Sequence, residues 1–205
     1  MCWNSEVSLN TFIYAVISAT ILLLLNNTQY LYIIVVLSIS SMQLLEYFTW
    51  ININDKKMMR ILSVFGIIII FIQIFLLTNL IENKKYKNIM LILLLIILII
   101  YITIIFPQTT LDMIKAENGH LAWLWSDVNI VFVLTCFIFY LAPFFINKWY
   151  GLFMFGLISL IISMYFFYKY KTFGSIWCYI SNILWIALLI DSISRLMNRS
   201  NIFKH

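Results

Sequence analysis

Long apolar runs separated by short polar breaks set the pattern of this chain. The hydrocarbon core of a bilayer takes about 20 residues of helix. Seven runs approach or exceed that length, at 8–25, 29–52, 58–81, 88–106, 129–146, 149–170 and 175–193. The breaks fall at 26–28, 52–57, 82–88, 107–127, 147–148 and 169–174, and each is rich in Asn, Lys, Glu, Asp or Gly. Strands of a membrane barrel would alternate apolar and polar residues over about ten positions. The run 91–100 does not alternate, so the pattern predicts helices. The expected fold is all-α, a polytopic transmembrane bundle of seven helices forming one domain over 1–205. No linker or soluble module interrupts it.

Two segments carry further detail. The stretch 89–105 is almost wholly aliphatic, with Tyr101 and Thr103 its polar breaks. A helix apolar all round can face lipid, so the fourth helix is expected at the periphery, distant from any site. In the loop 107–127, Thr109 precedes Asp112 by three residues and Gly119 follows, as in a capped and terminated helix. This predicts a short interfacial helix between the fourth and fifth spans. His120, Trp123 and Trp125 come next, and tryptophans at such a depth usually form the aromatic belt.

Composition narrows the class. Hydrophobic residues are 64% and charged residues 10%, against about a quarter charged in soluble chains. Mean hydropathy is +1.01. A soluble globular protein could not bury this much apolar surface, and a disordered chain would not carry it. The net charge of +5 is scattered over short loops, which argues against a nucleic-acid partner. Ten Lys against three Arg, with abundant Ile, Asn, Phe and Tyr, suits an AT-rich genome. No basic n-region or small-residue cleavage site marks a removable signal peptide. The N-terminal face holds Lys56, Lys57, Arg60, Lys115, Lys169 and Lys171; the opposite face holds Lys84, Lys85, Lys87, Lys148, Arg195, Arg199 and Lys204. The N-terminal segment has no basic residue and the C-terminal tail has three. The chain therefore reads as an integral, multi-pass membrane protein with its N-terminus outside and its C-terminus cytoplasmic.

Polar groups inside a bilayer are costly, so their placement is informative. Gln43, Glu46 and Trp50 share one face of the second helix at spacings of three and four. Ser175, Cys178, Asn182 and Trp185 form a 3–4–3 stripe on the seventh, as do Ser8, Thr11, Ala15 and Ser18 on the first. All three stripes start from the N-terminal face, where Cys2, Trp3, Glu6, His120, Trp123 and Trp125 also lie. The expected site is a polar, aromatic-walled pocket open to that face, lined by Cys2, Trp3, Gln43, Glu46, Trp50, His120, Trp123, Trp125, Trp177, Cys178 and Asn182. Helices 1, 2 and 7 are then expected to be mutual neighbours there.

Each residue also has a plainer role. Glu46 can serve as a packing hydrogen-bonder, His120 as an interfacial loop histidine, the tryptophans as anchors and the small residues of helix 1 as a close-packing stripe. Asp191 and Arg195 read as a local i,i+4 ion pair. Cys136 reads as a small buried apolar residue, and Gln73 has no assigned role. Cys2 and Cys178, expected close together, can be structural thiols, a disulfide or ligands. Only Cys2, His120 and Cys178, with Glu46, offer a metal-binding set, and no CxxC, HxxxH or HExxH spacing supports it. No cofactor and no catalytic residue is assigned.

The opening Met-Cys-Trp-Asn-Ser-Glu, the Gln43–Glu46 step, the run from His120 to Trp125 and the segment Gly174-Ser175-Ile176-Trp177-Cys178 carry a resemblance. Together they resemble an uncharacterised multi-pass membrane family with an N-terminal Met-Cys-Trp-Ser motif, found in bacteria, algae and large DNA viruses. Asn4 stands where that family has Ser. The resemblance implies that Cys2, Trp3, Glu46, His120, Trp123, Trp125, Trp177 and Cys178 are motif positions, and it brings no activity. Other seven-helix classes fit poorly. There is no lysine in 175–193 to bind retinal, and His120 and His205 are too few for an intramembrane zinc hydrolase. Pro107-Gln108 is similar to the motif of the PQ-loop transporters. Three functions remain open at this point: binding or transport of a small or lipid-like ligand, with the bilayer as partner; a membrane enzyme or redox protein using Cys2, Cys178, His120 and Glu46; or a structural component of a viral or host membrane.

Overall fold

Polar residues at the breaks start and stop the helices. The Asn4 side chain accepts a hydrogen bond from the Val7 amide at 2.9 Å and caps α1 (Ser5–Leu25). Asn and Ser do this about equally well, so Asn4 costs the helix nothing. Asn26, in the left-handed region at φ 48°, ends it. Asp55 caps α3 (Lys56–Asn79) on the amides of Lys57 and Met58, and Asn83 caps α4 (Lys84–Ile100) on those of Lys85 and Tyr86. The remaining helices are α2 (Tyr30–Ile51), α5 (Ile130–Ile146), α6 (Tyr150–Phe167), α7 (Phe173–Ser181) and α8 (Ile183–Ile202). The computed structural model describes residues 4–26, 28–126 and 130–202.

Six helical runs among the described residues are long and apolar enough to cross a membrane, as an integral membrane protein requires. They are α1, α2, α3, α4 extended to Gln108, α6 extended to Tyr170, and the joined run of α7 and α8. Helix α5 is as apolar but shorter, with 17 residues. It buries Phe137, Phe139, Tyr140 and Leu141 in the main apolar core.

Helix α2 is central. It packs against α1, α3 and α7, while α1 also touches α8. Helices 1, 2 and 7 were expected to meet at the N-terminal face; there α2 packs on α7, but α1 meets the seventh run through α8, nearer the opposite face. Ser8, Ala15, Ser18 and Ala19 of α1 are buried, and Ala15 and Ala19 share a cluster with Ile33 and Val36 of α2 and Trp185 of α8. Small residues let two backbones approach closely, so this stripe is a packing surface.

Three expectations are refined or corrected. The seventh run is one membrane-length helix as expected, but its hydrogen-bond ladder is interrupted at Asn182, whose side chain donates to the carbonyls of Cys178 and Tyr179. The loop between α4 and α5 forms no interfacial helix. It folds into a two-stranded antiparallel hairpin, β1 (Met113–Lys115) and β2 (Leu121–Trp123). The Thr109 hydroxyl donates backwards to the Ile105 carbonyl, and the Asp112 carboxylate takes its own neighbour's amide, from Met113, so no capping box forms. Gly119, at φ 82°, closes the turn, with the Ala116 amide donating to the His120 carbonyl at 2.8 Å. A three-residue hairpin loop calls for a left-handed glycine at that point.

The third correction concerns the fourth span. Its α-helical part faces outward as expected, with Leu94 its one buried residue. Its end, however, widens into a π-helical turn at Tyr101–Ile105. That turn drives Tyr101 inward to stack on Phe132, with ring centroids 4.9 Å apart. The end of this helix thus belongs to the site.

Candidate functional site

The hairpin plugs the N-terminal end of the bundle. Met113, Leu121, Trp123 and Trp125 are buried against Met42 and Leu45 of α2, Met59 and Leu62 of α3, and Cys178 of α7. Trp123 and Trp125, expected as interfacial anchors, are 3% and 6% exposed. Their rings stack at 5.2 Å and 11°. Two glycines admit them. A Cβ on Gly66 of α3 would lie 2.9 Å from the Trp125 ring, and one on Gly174 of α7 would lie 2.9 Å from the Trp123 ring. The order Gly66, Trp125, Trp123, Gly174 is a sandwich whose two outer layers are bare backbone.

Beneath this pair lies a narrow cavity of about 80 Å³. Trp123 and Trp125 roof it, Tyr101 and Phe132 close one side, and Phe137, Tyr140 and Trp177 line its depth, with Cys136 and Cys178 among the wall residues. Trp177 meets Phe137 and Tyr140 edge-on at 5.1 and 5.3 Å, a favourable aromatic geometry. Its indole N–H donates to the Ser159 hydroxyl at 3.1 Å, which fixes the ring. The Tyr140 hydroxyl donates to Gln73, and Gln73 in turn donates to the Ser38 carbonyl at 2.8 Å. Helices α5, α3 and α2 are thereby tied together at the cavity floor, and Gln73 gains a role.

The expected pocket residues divide. Trp123, Trp125, Trp177 and Cys178 line the cavity. Gln43 and Glu46 are fully buried on α2, and Glu46 lies within electrostatic reach of Cys178. They stand outside the cavity wall, so the cavity is aromatic and apolar where a polar lining was expected. Trp50 is half-buried against the hairpin cluster. His120 is buried edge-on to Phe167 of α6 at 5.9 Å. Its amide is held by the Asn118 side chain, which also donates to Thr172 at 2.9 Å. Asn182 belongs to a separate polar knot: the Ser40 hydroxyl donates to its side-chain oxygen at 2.7 Å, and the Trp185 indole N–H donates to Ser40 at 2.8 Å. Cys2 and Trp3 lie outside the described residues.

Cys136 and Cys178 are free thiols. Among the described residues no group of three His, Cys, Asp or Glu side chains is placed to hold a metal ion. Asp191 and Arg195 do form the expected ion pair, at 2.6 Å.

Sequence reasoning missed Gly66, Tyr101, Phe132, Phe137 and Tyr140, and read Cys136 without its neighbours. A signal was present for α5, because Phe132, Cys136 and Tyr140 recur at intervals of four and so share a face. No family model, curated protein or solved structure matches this chain.

Proposed function

We propose that the chain crosses the membrane seven times, α5 included, with its N-terminal face outward, and binds a lipid-like ligand by one apolar chain. The aromatic cavity under the tryptophan pair carries this reading. Its volume of about 80 Å³ is roughly half that of a dry cavity able to hold benzene. A fused-ring ligand is therefore too large, whereas the last few carbons of an acyl or isoprenoid chain fit. The wall is aromatic, which suits an apolar chain.

Binding is favoured over free passage. A second void, of about 40 Å³, continues towards the opposite face and shares Tyr140, Trp177 and Cys178 with the first. The Tyr140–Gln73 hydrogen bond braces the wall between them.

Tryptophan quenching tests the reading. In bilayers of a dibrominated phosphatidylcholine, a bromine carried into the cavity quenches Trp123, Trp125 and Trp177. The variant Cys136→Phe fills the cavity and should lose that part of the quenching, while the other tryptophans respond as before. Equal quenching in both proteins would show that no chain enters.

A further inference from the structure

A second concavity lies at the opposite end of the bundle, between α2, α6 and α8, with a volume of about 460 Å³. Its deep wall is apolar, formed by Val36, Ile39, Leu184 and Leu188. Its rim carries Glu82, Asp191 and Arg195. Leu184 and Arg195, both lining it, are eleven residues apart on α8, or about 16 Å of helix. That matches one leaflet, about half of a ~30 Å hydrocarbon core. The groove thus runs from headgroup depth to mid-membrane.

The rim has a definite charge pattern. Arg195 pairs with Asp191 at 2.6 Å, and both side chains are about half exposed. A guanidinium carries five N–H donors, so pairing with one carboxylate leaves several to spare. Glu82 stands nearby, and Tyr32 lies in the electrostatic field of both Glu82 and Arg195. Tyr32 and Trp149 form a tilted pair on the groove wall, with ring centroids 5.5 Å apart at 58°. The rim is held in place. The Asn147 side chain accepts from the Glu82 amide and donates to the Leu80 carbonyl, clipping the α3–α4 turn to the α5–α6 turn.

We infer that this groove binds one zwitterionic phospholipid, its phosphate on Arg195, its ammonium between Glu82 and the Tyr32–Trp149 rings, and an acyl chain along α8. Guanidinium forks match phosphate oxygens, and ring faces beside a carboxylate suit an alkylammonium. Among the groove's own lining residues one guanidinium stands against two carboxylates, a local pattern that complements a headgroup carrying both a phosphate and an ammonium; Lys84, Lys85, Lys87 and Lys148 lie on the same face outside that lining. The apolar wall of leaflet depth distinguishes a lipid from a soluble phosphoamine. The groove and the aromatic cavity have no lining residue in common.

Native mass spectrometry of detergent-purified protein tests this, with equimolar phosphatidylcholine, phosphatidylglycerol and diacylglycerol of matched chains added. Wild type should retain one phosphatidylcholine per chain, in preference to phosphatidylglycerol by about tenfold. Glu82→Gln should narrow that preference, Arg195→Gln should lower retention of both phospholipids, and Leu188→Trp should block the groove. Equal or greater retention of phosphatidylglycerol by wild type, retention of diacylglycerol, or no stoichiometric lipid would overturn the assignment. The wild-type competition decides the matter even where a variant fails to fold.

Discussion

Two glycines set the geometry of the candidate site because nothing larger fits beside the tryptophans. Gly66→Ala and Gly174→Ala each place a methyl 2.9 Å from an indole carbon. Something must shift to admit each methyl, and both indoles are large and buried, so each variant should cost about 1–3 kcal/mol. Gly151 is the control: its Cβ would meet nothing within 4 Å, and Gly151→Ala should be neutral or stabilising by up to about 1 kcal/mol. Thermal melts in detergent check the contrast, and equal melting temperatures for all three variants would dismiss the sandwich. The polar knot gives a second test. Ser40→Ala removes the acceptor of Trp185 and the donor to Asn182. Hydrogen bonds between membrane helices are worth about 1 kcal/mol, so a loss of that order is expected. Trp185→Phe should be non-additive with it, as a double-mutant cycle would show. Glu46→Gln keeps shape and hydrogen-bonding capacity and should melt as wild type does. A sharp fall would mean that its charge holds the fold.

The hairpin is the element that turns a bundle into a pocket. Its residues sit in what hydropathy reads as a loop, yet Leu121, Ala122 and Trp123 are buried. Hydrogen exchange should therefore find the amides of Ile114 and Ala122 as slow as those of the helices, and exchange at loop rates would refute the hairpin. Gly119→Ala forces a Cβ into a left-handed turn at φ 82° and should speed that exchange. The helices were legible in the sequence because bilayer thickness fixes run length and polar breaks mark the turns. The stripes Gln43–Glu46 and Ser175–Cys178 were legible because helical spacing alone puts them on one face. The hairpin was not, since Thr109 and Asp112 mimic a capping box and their local hydrogen bonds decide otherwise. Nor was Tyr101 legible as a site residue, because one buried ring is lost in the aliphatic average of its helix.

At the scale of the whole molecule, chain alternation brings residues far apart in sequence to two opposite ends. The N-terminal end gathers tryptophans over an apolar cavity; the other gathers Glu82, Asp191 and Arg195 over an apolar groove. The small void between them shares Tyr140, Trp177 and Cys178 with the first, and Ile39, Phe144, Leu152 and Leu184 with the second. The cavity walls come from α3, the end of the fourth span, the hairpin, α5 and α7. No local pattern could have revealed a wall assembled from five separate segments.

The proposed ligand site is tested by asking whether an apolar chain enters the cavity under Trp123 and Trp125. The most direct measurement is photo-crosslinking in bilayers, using a phospholipid with a diazirine at its chain end and peptide mapping by mass spectrometry. The account predicts adducts on the inward residues Cys136, Phe137 and Tyr140 of α5 and on Trp177 of α7, in addition to the lipid-facing surface of α4. It also predicts that Cys136→Phe removes the inward adducts alone. Adducts confined to outward-facing residues in the wild type would contradict it.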